Sequence, residues 1–213
     1  MSRAIVLLIS FVLPSISWAT CAPEKMIRIE FRDATPGLEP DSFTTRPKIL
    51  YRLSTLYARM EEEPDPELII HNLTIVNEPD FWMINLASKT GQHMVDQRES
   101  NHFRAPVLAV PDSPEFVLSF EFGCELAFMK ARSIKPETTS IESRKLESYK
   151  VTEKGHTLFL AVDPDLKKPV FAALYKEQEL AMLLGYLKYE TQLEPDMSLF
   201  RPPPGITISE ANP

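Results

Sequence analysis

Glycine is scarce in this sequence, with only 6 glycines among 213 residues. Loops that cradle phosphate groups need several glycines at fixed spacing, and no such pattern occurs. The Gly-x-Ser-x-Gly motif, which exposes a nucleophilic serine on a sharp turn, is also missing. No two of the 4 histidines have the spacing of metal ligands on one helix face, and Cys-x-x-Cys does not occur. The sequence therefore predicts no catalytic residues, no metal site, no cofactor and no enzymatic activity.

Positive charge is also in short supply. Lysine and arginine together number 23 against 30 acidic residues, which gives a formal net charge of -7. Phosphate binding needs clustered basic side chains, so nucleic acid is excluded as a partner. The same balance argues against electrostatic binding to anionic lipid. Hydrophobic residues make up 44% of the chain, which is enough to form a sizeable core.

No apolar run is long enough to span a bilayer, which needs roughly 20 residues. The longest, residues 4–13, follows Arg3 and precedes the small-residue sequence Ser17-Trp18-Ala19. This arrangement is typical of a secretory signal peptide cleaved after Ala19, and an uncleaved anchor is the alternative. We therefore expect a signal peptide over residues 1–19, export, and a single domain over residues 20–213.

The sequence has only two cysteines, Cys21 and Cys124. In an oxidising compartment two cysteines most simply form a disulfide, which here would tie the start of the exported chain to its centre. Two alternatives stay open. Cys124 could be a small buried apolar residue, and Cys21 could be free or carry a lipid, since Ala19-Thr20-Cys21 is similar to a lipoprotein cleavage site.

Residues 68–95 show the clearest strand pattern. Two apolar runs, residues 68–76 and 81–86, are rich in β-branched and aromatic side chains, which favour strands. Pro79 lies between them and cannot donate a hydrogen bond to a strand ladder. A second break precedes residues 92–95. The pattern predicts three antiparallel strands joined by tight turns.

Alternating apolar and polar residues predict further strands elsewhere. Residues 49–60 are read as one long strand, although a helix is also compatible with them, and residues 61–66 as a hairpin loop. The other predicted strands are residues 26–31, 146–151, 157–162, 170–175 and 180–190, with a short edge segment at 206–208. Residues 180–187 are apolar on both sides, so we expect both faces of the sheet to be covered.

Residues 113–131 predict the one substantial helix. Ser113 can cap it, Pro114 suits its first position, and the acidic residue that follows favours its positive end. One stripe at helical spacing is apolar, and it consists of Phe116, Phe120, Cys124 and Phe128. Gly123 weakens a helix, so a break is possible there. Residues 133–144 are read as a polar linker.

Three stretches of the sequence are similar to a known superfamily. They are residues 57–61 (YARME), residues 74–76 with 82–85 (TIV and WMIN), and residues 196–205 (DMSLFRPPPG). Together they resemble the periplasmic lipoprotein-carrier superfamily of LolA/LolB/LppX-like folds, as an uncharacterised relative. The resemblance implies an α+β fold that is mostly β: a strongly curved antiparallel sheet, or half-open β-barrel, with a helix across its concave face. Arg59 is the candidate for the internal polar anchor of that family.

The resemblance and the doubly apolar strands together suggest a function. We expect an exported periplasmic protein, either free or tethered to the outer membrane, that binds a lipid or an acylated protein. The residues expected to line its cavity are Trp82, Ile84, Phe116, Phe120, Met182 and Leu184. The alternative is a structural or interaction module of the cell envelope, whose filled core binds no ligand and whose partner is another envelope protein.

Overall fold

A twelve-stranded sheet forms the frame of the protein in this computed structural model, which describes residues 21–40, 42–97, 102–141 and 143–211. The predicted signal peptide lies outside the described residues. The strands are β1 (Met26–Asp33), β2 (Lys48–Leu53), β3 (Tyr57–Glu62), β4 (Asn72–Asn77), β5 (Asp80–Asn85), β6 (Thr90–Val95), β7 (Glu137–Ile141), β8 (Arg144–Glu153), β9 (His156–Asp163), β10 (Lys168–Lys176), β11 (Glu179–Leu193) and β12 (Thr207–Glu210).

Strand β1 joins the two halves of the sheet. It pairs with β2 on one side and with β11 on the other, so the order is β12-β6-β5-β4-β3-β2-β1-β11-β10-β9-β8-β7. All neighbours are antiparallel except β12, which runs parallel to β6. The two predicted groups of strands are therefore one continuous sheet. It is curved and open at its two edges, which confirms the predicted mostly-β, half-open architecture.

The predicted long strand over residues 49–60 is wrong. Strands β2 and β3 form a hairpin in which Leu53 pairs with Tyr57, and Ser54 in the turn has a φ of 55°. A three-residue hairpin loop commonly holds one residue in this left-handed conformation. Residues 54–56 therefore make an additional hairpin turn, while the loop expected at 61–66 falls largely in the connection between β3 and the antiparallel β4. The sequence hides the turn at 54–56 because these residues include no glycine, asparagine or proline.

The predicted linker at residues 133–144 also contains a strand. Residues of β7 pair with β8 along the open edge of the sheet. Most side chains of β7 are exposed, so the strand needs no apolar alternation and its sequence is polar. This polarity is what made the segment look like a linker.

Residues 103–134, which we call the plug, lie across one face of the sheet. They contain two short helices, α1 (Glu115–Leu118) and α2 (Glu125–Ala131), so the predicted continuous helix is wrong. The chain breaks around Gly123, whose φ is 84° and where a Cβ would collide with the side chain of Ile27. Ser113 does not cap α1; its hydroxyl accepts a hydrogen bond from the Val110 amide. No helix in the described ranges is long and apolar enough to cross a membrane.

Alternate residues of the strands divide between two apolar clusters on opposite faces. On the concave face, β1 contributes Ile27, Ile29 and Phe31 to a large core shared with the plug. On the outer face, a smaller core forms where the C-terminal segment, residues 197–210, crosses β3 to β6. That outer core contains Leu73, Ile75 and Ile84, with Trp82, Leu86, Ile206 and Ile208 packed against it.

The outer face over β8 to β11 differs from the expectation of double coverage. Phe159, Phe171 and Leu183 point outward there and stay partly exposed, and Leu187 is 47% exposed. Small residues between them, Ala161 and Ala173, are shielded by these larger neighbours. The apolar surplus of this region is thus covered on the concave face alone.

Candidate functional site

The plug is a separate unit that rests on the concave face. Its backbone hydrogen bonds are largely internal, for example from the Val107 amide to the Phe120 carbonyl at 2.8 Å and from the Phe122 amide to the Ala105 carbonyl at 2.9 Å. Among the described residues, one backbone hydrogen bond joins the plug to the β2–β3 turn, from Phe103 to Thr55 at 2.8 Å. The plug therefore contacts the sheet mainly through side chains and covers it without joining its strand ladder.

The interior beneath the plug is filled by the protein's own side chains. Phe120, Val117 and Leu108 of the plug are fully buried, as are Leu160 and Leu174 of the sheet opposite them. The ring of Phe120 meets that of Phe128 edge to face, with ring centres 5.3 Å apart. This is the arrangement of a close-fitting core. A ligand could occupy this space only if the plug moved away.

Four of the six predicted ligand residues lie together where the plug meets the sheet, two on the plug and two on β11. Phe116, Phe120, Met182 and Leu184 all belong to the concave core. Trp82 and Ile84 belong instead to the outer core beneath the C-terminal segment. The structure thus brings four of these residues together and places the other two on the opposite face of the sheet.

A buried charged side chain, Arg52, fastens the plug to β2. Its guanidinium is fully buried and donates to the Glu121 carboxylate at 2.6 Å and to the Phe122 carbonyl at 2.7 Å. Burial lowers the pKa of Arg52, and the adjacent Glu121 carboxylate opposes that shift. An arginine stays protonated in such a site, so the contact is an ion pair excluded from water. Breaking it would leave an uncompensated charge in the core.

A second buried acid, Glu125 at the start of α2, fastens the plug to β11. Its two carboxylate oxygens accept hydrogen bonds from Tyr186 at 2.9 Å and from Tyr189 at 2.6 Å. Burial raises the pKa of Glu125, and the hydrogen bonds from the tyrosines oppose this rise. Burial and the nearby carboxyl raise the pKa of both tyrosines as well, so they remain hydrogen-bond donors.

A disulfide between Cys21 and Cys124 completes the attachment, as predicted. The Cα atoms are 5.9 Å apart and 103 residues separate the two cysteines. Arg52 also donates to the Cys21 carbonyl at 3.2 Å, so the disulfide and the ion pair lie side by side. Because the Cys21 sulfur is bonded to Cys124, the alternative of a free or lipid-carrying Cys21 is wrong. A disulfide of this kind fits an oxidising compartment.

Arg59, the predicted polar anchor, lies on the outer face. It pairs with Glu61 at 2.9 Å and donates to the Leu199 carbonyl at 3.3 Å, which holds the C-terminal segment. The buried arginine is Arg52, which we did not single out from the sequence. Two features of the sequence could have identified it. Arg52 lies on the same side of β2 as the apolar Leu50, and the acids Glu121 and Glu125 interrupt an otherwise aromatic and apolar run that could supply its partner.

An open groove of about 450 Å³ lies beside the plug-covered region. Thr74 and Met83 on its floor pair across β4 and β5, one step along from the core pair Val76 and Phe81. Met83 is 46% exposed. The groove therefore continues the concave face past the plug, where polar side chains surround Met83. Its polar rim is formed by Glu62, Asn72, Asn85, Thr90, Gln92 and Ser209.

Comparison with protein-family models gives no match, and no curated protein matches the sequence. Among solved structures, an uncharacterized conserved protein from Thermus thermophilus is similar over 88% of this chain and 91% of that protein, with 10% identity and a TM-score of 0.51. MucB matches 89% of this chain at 10% identity and a TM-score of 0.47, and this chain covers 62% of MucB. A LolA superfamily protein from Nitrosomonas europaea matches 87% of this chain and 94% of that protein, at 10% identity and a TM-score of 0.34. At these identities the similarity is one of fold.

Proposed function

We propose that this protein is a non-enzymatic component of the bacterial cell envelope that binds a hydrophobic ligand, a lipid or the acyl chain of a protein, beneath the plug. The observation that supports this proposal most directly is how the plug is held. It covers an apolar concave face through side chains, the disulfide to Cys21 and one backbone hydrogen bond in the described part of the chain. The plug can therefore lift from the sheet, still tethered at Cys124, without disrupting the strand ladder.

The free energy lost when the plug moves away is offset by the free energy gained when a ligand binds. Opening exposes the concave core, and a bound acyl chain covers it again. Each buried methylene contributes about 0.8 kcal/mol, so a chain of roughly 16 carbons supplies on the order of 10 kcal/mol before ordering costs. That is enough to replace the apolar contacts of part of the plug. The ion pair of Arg52 and the hydrogen bonds of Glu125 would oppose opening.

The open groove is the proposed entrance. An acyl chain lying over Met83 and Thr74 would be aligned with Val76 and Phe81, which form the nearest part of the concave core. The polar rim of the groove would then face the polar end of the ligand. Phe116, Phe120, Met182 and Leu184 would contact its apolar end.

The proposed location is the periplasm, reached by cleavage of residues 1–19 and followed by folding of residues 20–213 as one domain. The disulfide between Cys21 and Cys124 supports an oxidising compartment. A tether to the outer membrane would need an attachment other than a lipid on Cys21, whose sulfur is already bonded.

Native mass spectrometry of the protein purified from a periplasmic extract tests ligand binding. We expect a population carrying an added mass that dissociates in organic solvent and has the mass of a lipid. The purified protein should also increase the fluorescence of the apolar probe N-phenylnaphthylamine. A single ligand-free mass together with no response of the probe would contradict the proposal.

A second function, an interaction module with a closed core, is favoured by one specific observation. The interior beneath the plug is already filled, with Phe120, Leu108 and Met129 fully buried. A module of this kind would bind an envelope protein through its surface and would take up neither lipid nor probe. The same mass spectrometry experiment therefore separates the two functions.

A further inference from the structure

The outer face over β8 to β11 carries a strip of apolar side chains. Phe159 on β9 and Phe171 on β10 stack with ring centres 5.6 Å apart and ring planes inclined by 18°. Leu183 on β11 lies in the same row as Ala173 and Phe159, and all three point away from the plug. These aromatic and leucine side chains are partly exposed. We call Phe159, Phe171, Ala173, Leu183 and Gly185 the outer strip.

Gly185 leaves a notch in this strip. It pairs with Phe171 in the middle of β11, the longest strand in the described residues, with 15 residues. A Cβ built at Gly185 meets nothing within 4 Å, so the space above its backbone is open. Glycine inside a strand weakens the strand and often marks a place where another backbone approaches closely. The notch lies directly beside the exposed edge of the Phe171 ring.

Basic side chains flank the outer strip at both ends. Arg32 on β1 pairs with Gly185, and Lys150 on β8 pairs with Phe159. Both side chains are exposed, on a chain whose formal net charge is -7. Four strand spacings of about 4.8 Å separate β1 from β8, so the two charges are roughly 19 Å apart. The strip thus has an apolar centre and two cationic ends.

From this arrangement we propose that the outer strip binds an acidic segment of a partner protein. The segment has a few apolar residues in its centre, which fit over Gly185 and the Phe159–Phe171 pair, and carboxylates toward both ends, which reach Arg32 and Lys150. A second copy of this chain fits less well, because a symmetric contact would bring cationic ends together. This proposal does not depend on the ligand beneath the plug, so the two can fail separately.

Isothermal titration calorimetry with two synthetic 16-residue peptides tests the proposal. Both peptides have the same Ala-, Leu- and Phe-containing centre, and one has glutamates at both ends where the other has lysines. We expect the glutamate peptide to bind and the lysine peptide to bind at least about tenfold more weakly, since charge complementarity sets the specificity.

Two variants and one control make the test specific to the strip. Gly185→Val fills the notch with a residue that strands favour, so the variant should fold normally. Its affinity for the glutamate peptide should nevertheless be lower by about tenfold or more. Arg32→Glu with Lys150→Glu should reverse the preference between the two peptides. Leu68→Ser, at a residue that is 63% exposed elsewhere, should change nothing.

Three results would overturn the proposal. The first is that neither peptide binds, and the second is that both peptides bind equally well. The third is that Gly185→Val leaves the affinity for the glutamate peptide unchanged. If the protein dimerises with increasing concentration and Gly185→Val abolishes this, the outer strip binds a second copy of the chain instead. If the protein sediments with phosphatidylglycerol vesicles and Lys150→Glu abolishes this, the outer strip binds a membrane surface instead.

Discussion

At the scale of single residues, two arginines of one hairpin have different roles. Tyr51 pairs with Arg59 and Arg52 pairs with Ala58, so the register of the β2–β3 hairpin turns Arg52 inward and Arg59 outward. Alternation places the two arginines on opposite faces whether or not the turn is recognised, but the sequence did not show which face the plug covers. Once the plug is known to cover the face that carries Leu50, the alternation of side chains assigns both residues.

Replacement of Arg52 tests the buried ion pair. Arg52→Met leaves the buried Glu121 carboxylate with only the more distant Arg104, 3.6 Å from its other oxygen, so we expect a loss of about 3 kcal/mol in the free energy of unfolding. Arg52→Met combined with Glu121→Gln should recover much of this loss, since the amide oxygen still accepts the hydrogen bond from Ala105. Urea unfolding of the three variants measures the effect.

Arg59→Met is the matched control for this experiment. Its ion pair with Glu61 is partly exposed, so its loss should cost on the order of 1 kcal/mol. Equal losses for Arg52→Met and Arg59→Met would show that burial of Arg52 does not matter to the fold.

The carboxyl of Glu125 makes stability depend on pH. Burial raises its pKa above the ordinary value of 4.5, so the folded protein binds this proton more tightly than the unfolded chain. The resulting stabilisation is fully present below the unfolded pKa and is lost as pH rises through the folded pKa. The amide of Glu125→Gln does not ionise, so this variant does not lose that stabilisation as the pH rises.

We therefore expect the free energy of unfolding of Glu125→Gln, relative to the native protein, to rise as the pH is increased above the ordinary pKa of 4.5. Urea unfolding at several pH values measures the difference, in which the other titrating groups cancel. A difference that stays constant or falls with pH would mean that Glu125 is not destabilised by burial.

Two strand glycines have opposite surroundings and form a matched pair. A Cβ at Gly91 would lie 2.9 Å from the Ile84 side chain and 2.9 Å from the Met83 carbonyl oxygen, whereas a Cβ at Gly185 meets open space. Gly91→Ala should lose about 1–3 kcal/mol of stability by overcrowding. Gly185→Ala should be neutral or gain up to about 1 kcal/mol. Thermal unfolding of both variants checks this, and a reversed order would contradict the assigned surroundings.

At the scale of elements, strands were predictable and the plug was not. The strands β4, β5 and β6 follow from alternating apolar residues around a proline-containing turn, which are local features. The plug follows from contacts distant in sequence: Gly123 approaches Ile27, and Arg52 binds the Phe122 carbonyl. Helical spacing of aromatic residues predicted that the segment is buried, and Gly123 indicated a possible break, but neither showed that the helical parts are as short as α1 and α2.

The disulfide is the covalent attachment of the plug. Because it closes a loop over a separation of 103 residues, its removal should cost about 4–5 kcal/mol in the chain-entropy description. We expect Cys21→Ser with Cys124→Ser to lower the urea midpoint accordingly, and the native protein to behave likewise after reduction. An unchanged midpoint in both cases would show that the ion pair and the core alone hold the plug.

At the scale of the whole molecule, the sheet is apolar on both faces, but the two faces differ in how much of their apolar surface is covered. The concave face holds the large core beneath the plug, and the outer face is covered over β3 to β6 but partly exposed over β8 to β11. The sequence indicated the excess of apolar residues. It could not show how the excess divides, because that depends on which half of the sheet the C-terminal segment crosses.

The central claim, that a hydrophobic ligand binds between the plug and the concave face, is tested most directly by fluorescence quenching with dibromostearate. Bromine quenches tryptophan at short range, and a chain produced without residues 1–19 contains Trp82 as its one tryptophan, which packs against the outer core. A second protein, with Trp82→Phe and Phe116→Trp, places the fluorophore on the buried side of the plug instead, facing the concave core. We expect dibromostearate to quench the tryptophan at position 116 and to leave Trp82 unquenched. Quenching of neither, or of Trp82 alone, would contradict ligand binding beneath the plug.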